Sequence, residues 1–298
     1  MNTELGTVRK RKTGNLTIYL FLIAPLAVYA IFFLFPNLNS LFSSFYKWDG
    51  VAPVKEFVGF SNYIKMLGDP LFWKSFGNTI KYTITLVAFQ TLCGLLLAVL
   101  IFKASKIHNF FRTLYFMPAM LSAVTVGLIF GFIYDPNMGA LNKFLEAVGL
   151  ENLTRSWLSD ENIVIYALAF VHVWVGIGQS VVLFVAGLQN IPYDLYESAR
   201  IDGAGPWKQF TRITMPMLKS TTLIVLVLTT IGGFKCFDYV FVMTGGGATH
   251  SSEVLATLLY KEAYAYSDFG YSAAISVALL IIVSVITAVQ MRLLRKDA

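Results

Sequence analysis

Two ionisable residues, Lys235 and Asp238, lie three positions apart inside an otherwise apolar stretch running from about residue 220 to 242. An ionised side chain at the middle of a membrane helix costs about 2.5 to 3.5 kcal/mol on insertion scales. A lysine and an aspartate so placed should therefore face a protein interior or water rather than lipid. On one helix they would share a face and could partner one another; the spacing fits a structural ion pair as well as it fits contact with a ligand. A second apolar stretch, about 163 to 186, carries Gly176 and Gln179, also three apart, with Trp174 just before them. The Gln179 amide offers both a donor and an acceptor, and rings such as Trp174 and Phe234 can cover an apolar ligand face. This set suits recognition and passage of a polar molecule. Asn78, Tyr82 and Gln90, on another span, read as ordinary polar helix residues, with lining of the path as the lesser alternative.

No comparable set points to catalysis. His108, His172 and His250 are far apart in the sequence, and there is no His-Glu-x-x-His or Cys-x-x-Cys pattern to suggest a metal site. His172 reads as a packed or hydrogen-bonded helix residue. No Gly-x-x-x-x-Gly-Lys-Ser/Thr run exists to bind nucleotide phosphates, so any ATP consumed must be hydrolysed by another polypeptide. Cys93 and Cys236 both fall in apolar stretches, where a small packing role is ordinary.

The elements that hold these residues are membrane spans. Of 298 residues 56% are hydrophobic and 13% charged, too apolar for a water-soluble domain. A spanning helix needs roughly 20 mostly apolar residues, and six stretches meet that, at about 18–35, 79–102, 114–134, 163–186, 220–242 and 271–291. The fold class expected is an all-α integral membrane protein of six helices. A basic tail (1–17) precedes the membrane domain (18–291), and a short tail (292–298) follows. The first stretch is longer than a signal-peptide core and reads as an uncleaved helix. The loop between the first two spans is too short for a domain with its own core.

Lysine and arginine set the orientation, since cytoplasmic loops retain positive charge. Fourteen fall on one side, including Arg9 to Lys12, Lys103, Lys106, Arg112, Arg200, Lys208, Arg212 and Arg295, against seven on the other. Both termini are therefore expected in the cytoplasm. The net charge of +6 needs no nucleic acid to explain it. Gly127 and Gly131 give a Gly-x-x-x-Gly spacing that favours close helix approach.

Between the fourth and fifth spans, residues 192–216 form a charged, glycine-hinged loop with the grammar of two short helices. Asp194 and Glu197 resemble an N-cap and its capping-box partner for a helix through Ile201. Gly203-Ala204-Gly205 breaks it, Pro206 opens a second helix from Trp207 to Ile213, and Pro216 opens the fifth span. Without further information this is an amphipathic loop at the headgroups, with Trp207 and Phe210 dipping inward.

The same loop resembles the EAA loop of the permease subunits of binding-protein-dependent ABC importers, in the carbohydrate-uptake group that includes the maltose transporter. That motif is Glu-Ala-Ala, three residues, Gly, nine residues, Ile-x-Leu-Pro; here it is Glu197-Ser198-Ala199, Gly203 and Ile213-Thr214-Met215-Pro216. Ile191 to Tyr196, and Met243-Thr244-Gly245-Gly246-Gly247, are also similar to that group, and the match covers most of the chain. Ser198 for alanine, Met215 for leucine and Ala248 where proline often follows are small departures.

The resemblance implies a type I importer permease fold in a bacterial cytoplasmic membrane. It also implies that the loop is a coupling helix seated in a cleft of an ATPase subunit. Glu197 would pair with a basic residue of that ATPase, Gly203 would form the bend, and Ala199 and Ala204 would permit close approach. Ser198, Asp202, Ile213 and Pro216 complete the set, and a local capping role for Glu197 stays open beside this one. Gly176 and Gln179 fall where the maltose permease contacts sugar; Phe234, Lys235 and Asp238 match its other substrate-lining span once a short gap is allowed. The implied partners are a second permease subunit or a copy of this chain, two ATPase subunits binding ATP and Mg, and an extracytoplasmic solute-binding protein. The implied cargo is a di- or oligosaccharide, and Lys235 leaves an acidic sugar open. The competing class is an ATP-independent carrier or channel, for which inverted repeats and a loop without a docking motif are expected.

Overall fold

The computed structural model describes residues 14–102, 110 and 113–295. Arg9 to Lys12, Lys103, Lys106, His108, Arg112 and Lys296 lie outside the described residues. Among the described residues five helices are long and apolar enough to cross a membrane: Phe21–Ser43, Pro70–Ile101, Val164–Gln189, Lys219–Thr244 and Phe269–Leu293. A sixth span is the pair Thr113–Met120 and Ala123–Ile133, which is bent by 103°. The helical architecture expected is thus present, but the third span is broken rather than straight. Leu121 and Ser122 take extended backbone between the two pieces, and the Ser122 hydroxyl accepts from the Thr125 N–H to cap the second.

Two further irregularities share one cause. The first span passes through a π turn at Ala30–Leu34, and the residues before the fifth span pass through another at Phe210–Thr214. Each turn ends two residues before a proline, Pro36 and Pro216. A proline ring clashes with the carbonyl four residues back and donates no hydrogen bond, and a widened turn absorbs both. The helix of the fifth span proper starts at Lys219, after Pro216 has closed a short turn, Met215–Met217.

Hydrophobicity alone does not hold helices together in lipid, so packing depends on close contact and hydrogen bonds. The second span runs along the fourth and against the fifth, and the sixth packs on the fifth. One cluster in this seam joins Tyr82, Leu86, Leu168, Val173, Cys236 and Val240; a second joins Leu95, Ala98, Phe184, Leu188, Leu218 and Val225. Of the expected glycine pair, Gly127 lies against Val242, whereas Gly131 meets no atom within 4 Å of where a Cβ would be. The first span meets the sixth through its last turns, Phe35–Ser43, while its side chains from Phe21 to Leu34 are exposed.

At the end opposite the 192–216 loop the connections knit together. A small antiparallel hairpin pairs Tyr46–Lys47 with Glu56–Phe57. Asn62 Nδ2 donates to the carbonyls of Ser44 and Tyr46, and the Phe269 N–H donates to the Trp48 carbonyl at 2.9 Å. Asp69 caps the second span through the Leu71 N–H, and Asp268 caps the sixth through the Tyr271 N–H while pairing with Lys65 at 2.7 Å.

Candidate functional site

The fourth span offers a polar seam to the second and fifth. Gly176 is what makes it possible: a Cβ there would lie 2.8 Å from the Gln90 amide. With only a hydrogen in the way, Gln90 Nε2 crosses to donate to the Gly176 carbonyl at 3.0 Å and to Ser180 Oγ at 3.1 Å. The seam opens into a cavity of about 90 Å³ lined by Gln90, His172, Gly176, Gln179, Ser180 and Thr229. A larger cavity of about 370 Å³ adjoins it, lined by His172, Lys235, Phe237, Asp238 and Tyr239. Both are bounded by His172, Leu228 and Gly232, so they meet at the imidazole. His172 Nδ1 shares a hydrogen bond of 3.0 Å with the hydroxyl of fully buried Tyr82, and its ring lies 5.2 Å from that of Tyr239.

Four of the six residues anticipated for the path, Gly176, Gln179, Lys235 and Asp238, therefore line these two cavities. The other two lie elsewhere. Trp174 packs edge-on against Phe130 and faces a separate apolar cavity of about 560 Å³ with Leu121 and Phe170. Phe234 is buried on the opposite face of its helix, beside Thr83, Ile286 and Gln290. The shared helix face expected of Lys235 and Asp238 is also absent. The helix ends at Phe234, Lys235 to Phe237 form a break, and a new helix runs Asp238–Thr244. Both side chains are exposed, and among the described residues no ion pair joins them. The i, i+3 rule presupposes one continuous helix. The break turns both residues toward the larger cavity.

Ser180, Thr229, Phe237 and Tyr239 line the cavities without being singled out by the sequence, as do His172 and Gln90, which read first as ordinary helix residues. Both make the structural hydrogen bonds that their types suggest, and both also border open space. Gly176 and Ser180 opposite Gln90 form the signal, because small residues on one helix permit a long amide on its neighbour.

The 192–216 loop is anchored from below and open above. Its first helix runs Tyr193–Ile201. The N-cap is Pro192, with no side-chain cap bond, so the capping box expected of Asp194 and Glu197 is not formed. Asp194 instead sits in the first turn, where its charge suits the helix dipole. Gly203 has φ +74°, a left-handed turn that side chains disfavour, and the Ala204 N–H closes it on the Ala199 carbonyl at 2.8 Å. Gln209 Nε2 donates to the Ala204 carbonyl, and Tyr196 shares a hydrogen bond with Thr214 across the two helices. Tyr196, Phe210 and Ile213 pack onto the core beneath. Glu197, Ser198, Asp202, Gly203 and Pro216 are exposed, Ala199 and Ala204 half-buried. Ile201 is 82% exposed and Trp207 76% exposed, large apolar surfaces that the described residues leave uncovered. Among the described residues no hydrogen bond or ion pair holds the Glu197 side chain.

At the opposite end, Gly245, Gly246 and Gly247 follow the fifth span with φ of +59°, +95° and +79°. Gly246 lies against the fully buried Glu253 carboxylate, which pairs with Lys261 at 2.5 Å and His250 at 3.1 Å. Asn78 Nδ2 donates to the carbonyls of Ser251 and Glu253, fastening this loop to the second span. Glu253 and Lys261 are a further pair that the sequence leaves unannounced, since each reads as a surface charge until the glycine turn folds one under the other.

The model of the family described as "Binding-protein-dependent transport system inner membrane component" matches residues 90–296. The chain belongs to this family. It is a multi-pass protein of the cytoplasmic membrane. Curated relatives match along nearly their whole length. The protein named "Probable ABC transporter permease protein YurN" of Bacillus subtilis is 38% identical over 92% of this chain and 94% of its own. The "Multiple sugar-binding transport system permease protein MsmF" of Streptococcus mutans is 34% identical over 93% and 94%. The "Diacetylchitobiose uptake system permease protein NgcF" of Streptomyces coelicolor is 34% identical over 95% and 84%. Among solved structures, a chain of a bacterial alginate ABC transporter in complex with its alginate-bound periplasmic protein superposes with a TM-score of 0.83 over 95% of each chain, at 20% identity. This likeness shows that the permease has the ABC importer fold.

Proposed function

We propose that this permease forms one half of the translocation path of an ATP-driven sugar importer, carrying a di- or oligosaccharide. The observation that carries the reading is the 192–216 loop: a left-handed bend displaying Glu197, Ile201 and Trp207, which the other described residues leave exposed. Such a surface suits a cleft in a cytoplasmic ATPase subunit, and the positive charge gathered on that side supports cytoplasmic termini and the division into tail, membrane domain and tail. Glu197, Ser198, Ala199, Asp202, Gly203, Ala204, Ile213 and Pro216 are its coupling residues. ATP and Mg are bound by two ATPase subunits. A second permease, homologous or identical, supplies the other half of the path, and an extracytoplasmic solute-binding protein delivers the sugar.

The cargo class rests on the relatives, several of which are named for oligosaccharide uptake, and on the chemistry of the paired cavities. Gln90, Gln179, Ser180 and Thr229 offer donors and acceptors to hydroxyl groups. Lys235 and Asp238 stand at the wider mouth. Loop movement driven by ATPase closure would reach this site directly, since the loop joins the fourth and fifth spans that line it. An ATP-independent carrier is not favoured, because it has no use for an exposed docking loop.

The test is co-purification followed by reconstitution. The chain is isolated with its partner subunits, placed in proteoliposomes, and supplied with its binding protein and maltose, raffinose, diacetylchitobiose or arabinotriose in turn. Stimulated ATP hydrolysis with one of these sugars is expected. Uptake by this chain alone, with no ATPase in the preparation, would overturn the reading.

A further inference from the structure

A row of six rings leads away from the larger cavity. Phe237, which lines that cavity, stacks on Phe241 at 4.9 Å and meets Tyr260 at 5.3 Å. Tyr260 lies 4.9 Å from Tyr264, Tyr264 lies 5.6 Å from Phe269, and Phe269 lies 5.6 Å from Trp48. Trp48, Tyr264 and Phe269 then line another cavity of about 300 Å³, together with Asn39, Ser40 and Ser276. The row thus joins two cavities, one beside the break in the fifth span and one among the connections at the end opposite the 192–216 loop.

Charge bounds the row at both ends. It begins at exposed Lys235 and Asp238 and ends where Lys55 Nζ sits 3.9 Å above the Trp48 ring. Charges at both ends belong beside water or protein. Rings held by their neighbours at stacking distances lose little freedom when a ligand binds. A pyranose presents a flat face of C–H groups to such a ring while its hydroxyls stay in water, and the hydroxyls and amide of the outer cavity supply what the edge of a sugar needs.

We propose that this outer cavity and the ring row form an extracytoplasmic sugar-entry site, which receives pyranose units and passes them to the cavity at His172 and Lys235. This rests on the sugar-importer reading and adds its entry route. It replaces the rings first expected to line the path, Trp174 and Phe234, with Phe237, Phe241, Tyr260 and Tyr264.

The experiment measures uptake of the stimulating sugar, radiolabelled, by the complete assembly in proteoliposomes. Tyr260→Ala should lower the initial uptake rate about fivefold, the scale of one lost ring contact. Tyr260→Phe should keep it, because the ring and not the hydroxyl does the stacking. Phe132→Ala, which removes an exposed ring outside the row, should also keep it. Tyr264→Ala repeats the measurement at the next ring should Tyr260→Ala fail to insert. Unchanged uptake in the alanine variants would overturn the entry site alone. So would loss of co-purification with the second permease in both, which would make the row a subunit seam. Absence of sugar uptake by the wild-type assembly would overturn the importer reading and the entry site together.

Discussion

Gly176 and Gln90 show how one missing side chain opens a polar route through a membrane core. Valine at 176 would drive its methyl groups into the amide that bridges to Ser180. Gly176→Val should therefore cost about 1 to 3 kcal/mol, as overpacking does, read as a lower thermal midpoint of the purified protein, and should abolish transport even where the protein still inserts. Glu197 calls for the opposite result. Among the described residues nothing holds its side chain, so Glu197→Ala should leave the thermal midpoint unchanged while lowering stimulated ATPase activity; a large drop in stability would return it to a local structural role. Glu253 is the buried counterpart. Removing one member of a buried ion pair leaves the other charge uncompensated, and Glu253→Ala should destabilise by about 3 kcal/mol, measured in the same melting experiment.

At the level of helices and loops, the connection after the glycine turn should carry a pH signature. Glu262, half-buried in the helix Leu255–Tyr264, has its carboxyl raised above the ordinary 4.5, by burial first. Lys65 opposes the shift, while Asp268 and Asp69 add to it. Between pH 4.5 and its raised value the folded state keeps a proton that the unfolded state has released. Stability must therefore fall as pH rises through that window. Glu262→Gln should flatten this fall in a pH series of thermal melts, and an unaltered slope would assign it to another group.

Much of this level is legible in the sequence because the code there is local. Uninterrupted apolar runs become spans, and Gly203 adopts the bend its residue type allows. The break at Lys235 is marked only by Gly232-Gly233, and an apolar run carrying two glycines still reads as continuous helix. The 103° bend of the third span is likewise hidden in an apolar run, with Pro118 and Ser122 as its only marks. The prolines are legible as helix starts, but the π turns that accommodate two of them depend on helix geometry rather than composition.

For the whole molecule, residue type alone finds the ionisable pair of the fifth span, because a charge in an apolar run is costly wherever it points. It does not find which rings join that pair. Facing direction decides that, and direction follows from breaks and packing between spans distant in sequence. The same holds for His172, whose place between two cavities depends on three spans at once. What unites these parts is the path from the exposed loop, through the fourth and fifth spans, to the cavities they enclose.

The loop should therefore transmit motion, and proline at its bend should stop it. Gly203 sits at φ +74°, whereas proline fixes φ near −65°. Gly203→Pro should leave membrane insertion and subunit co-purification intact. In proteoliposomes containing the complete assembly and its sugar-loaded binding protein, it should uncouple ATP hydrolysis from uptake, so that uptake is lost. Normal uptake by this variant would contradict the assignment of the loop as the coupling element.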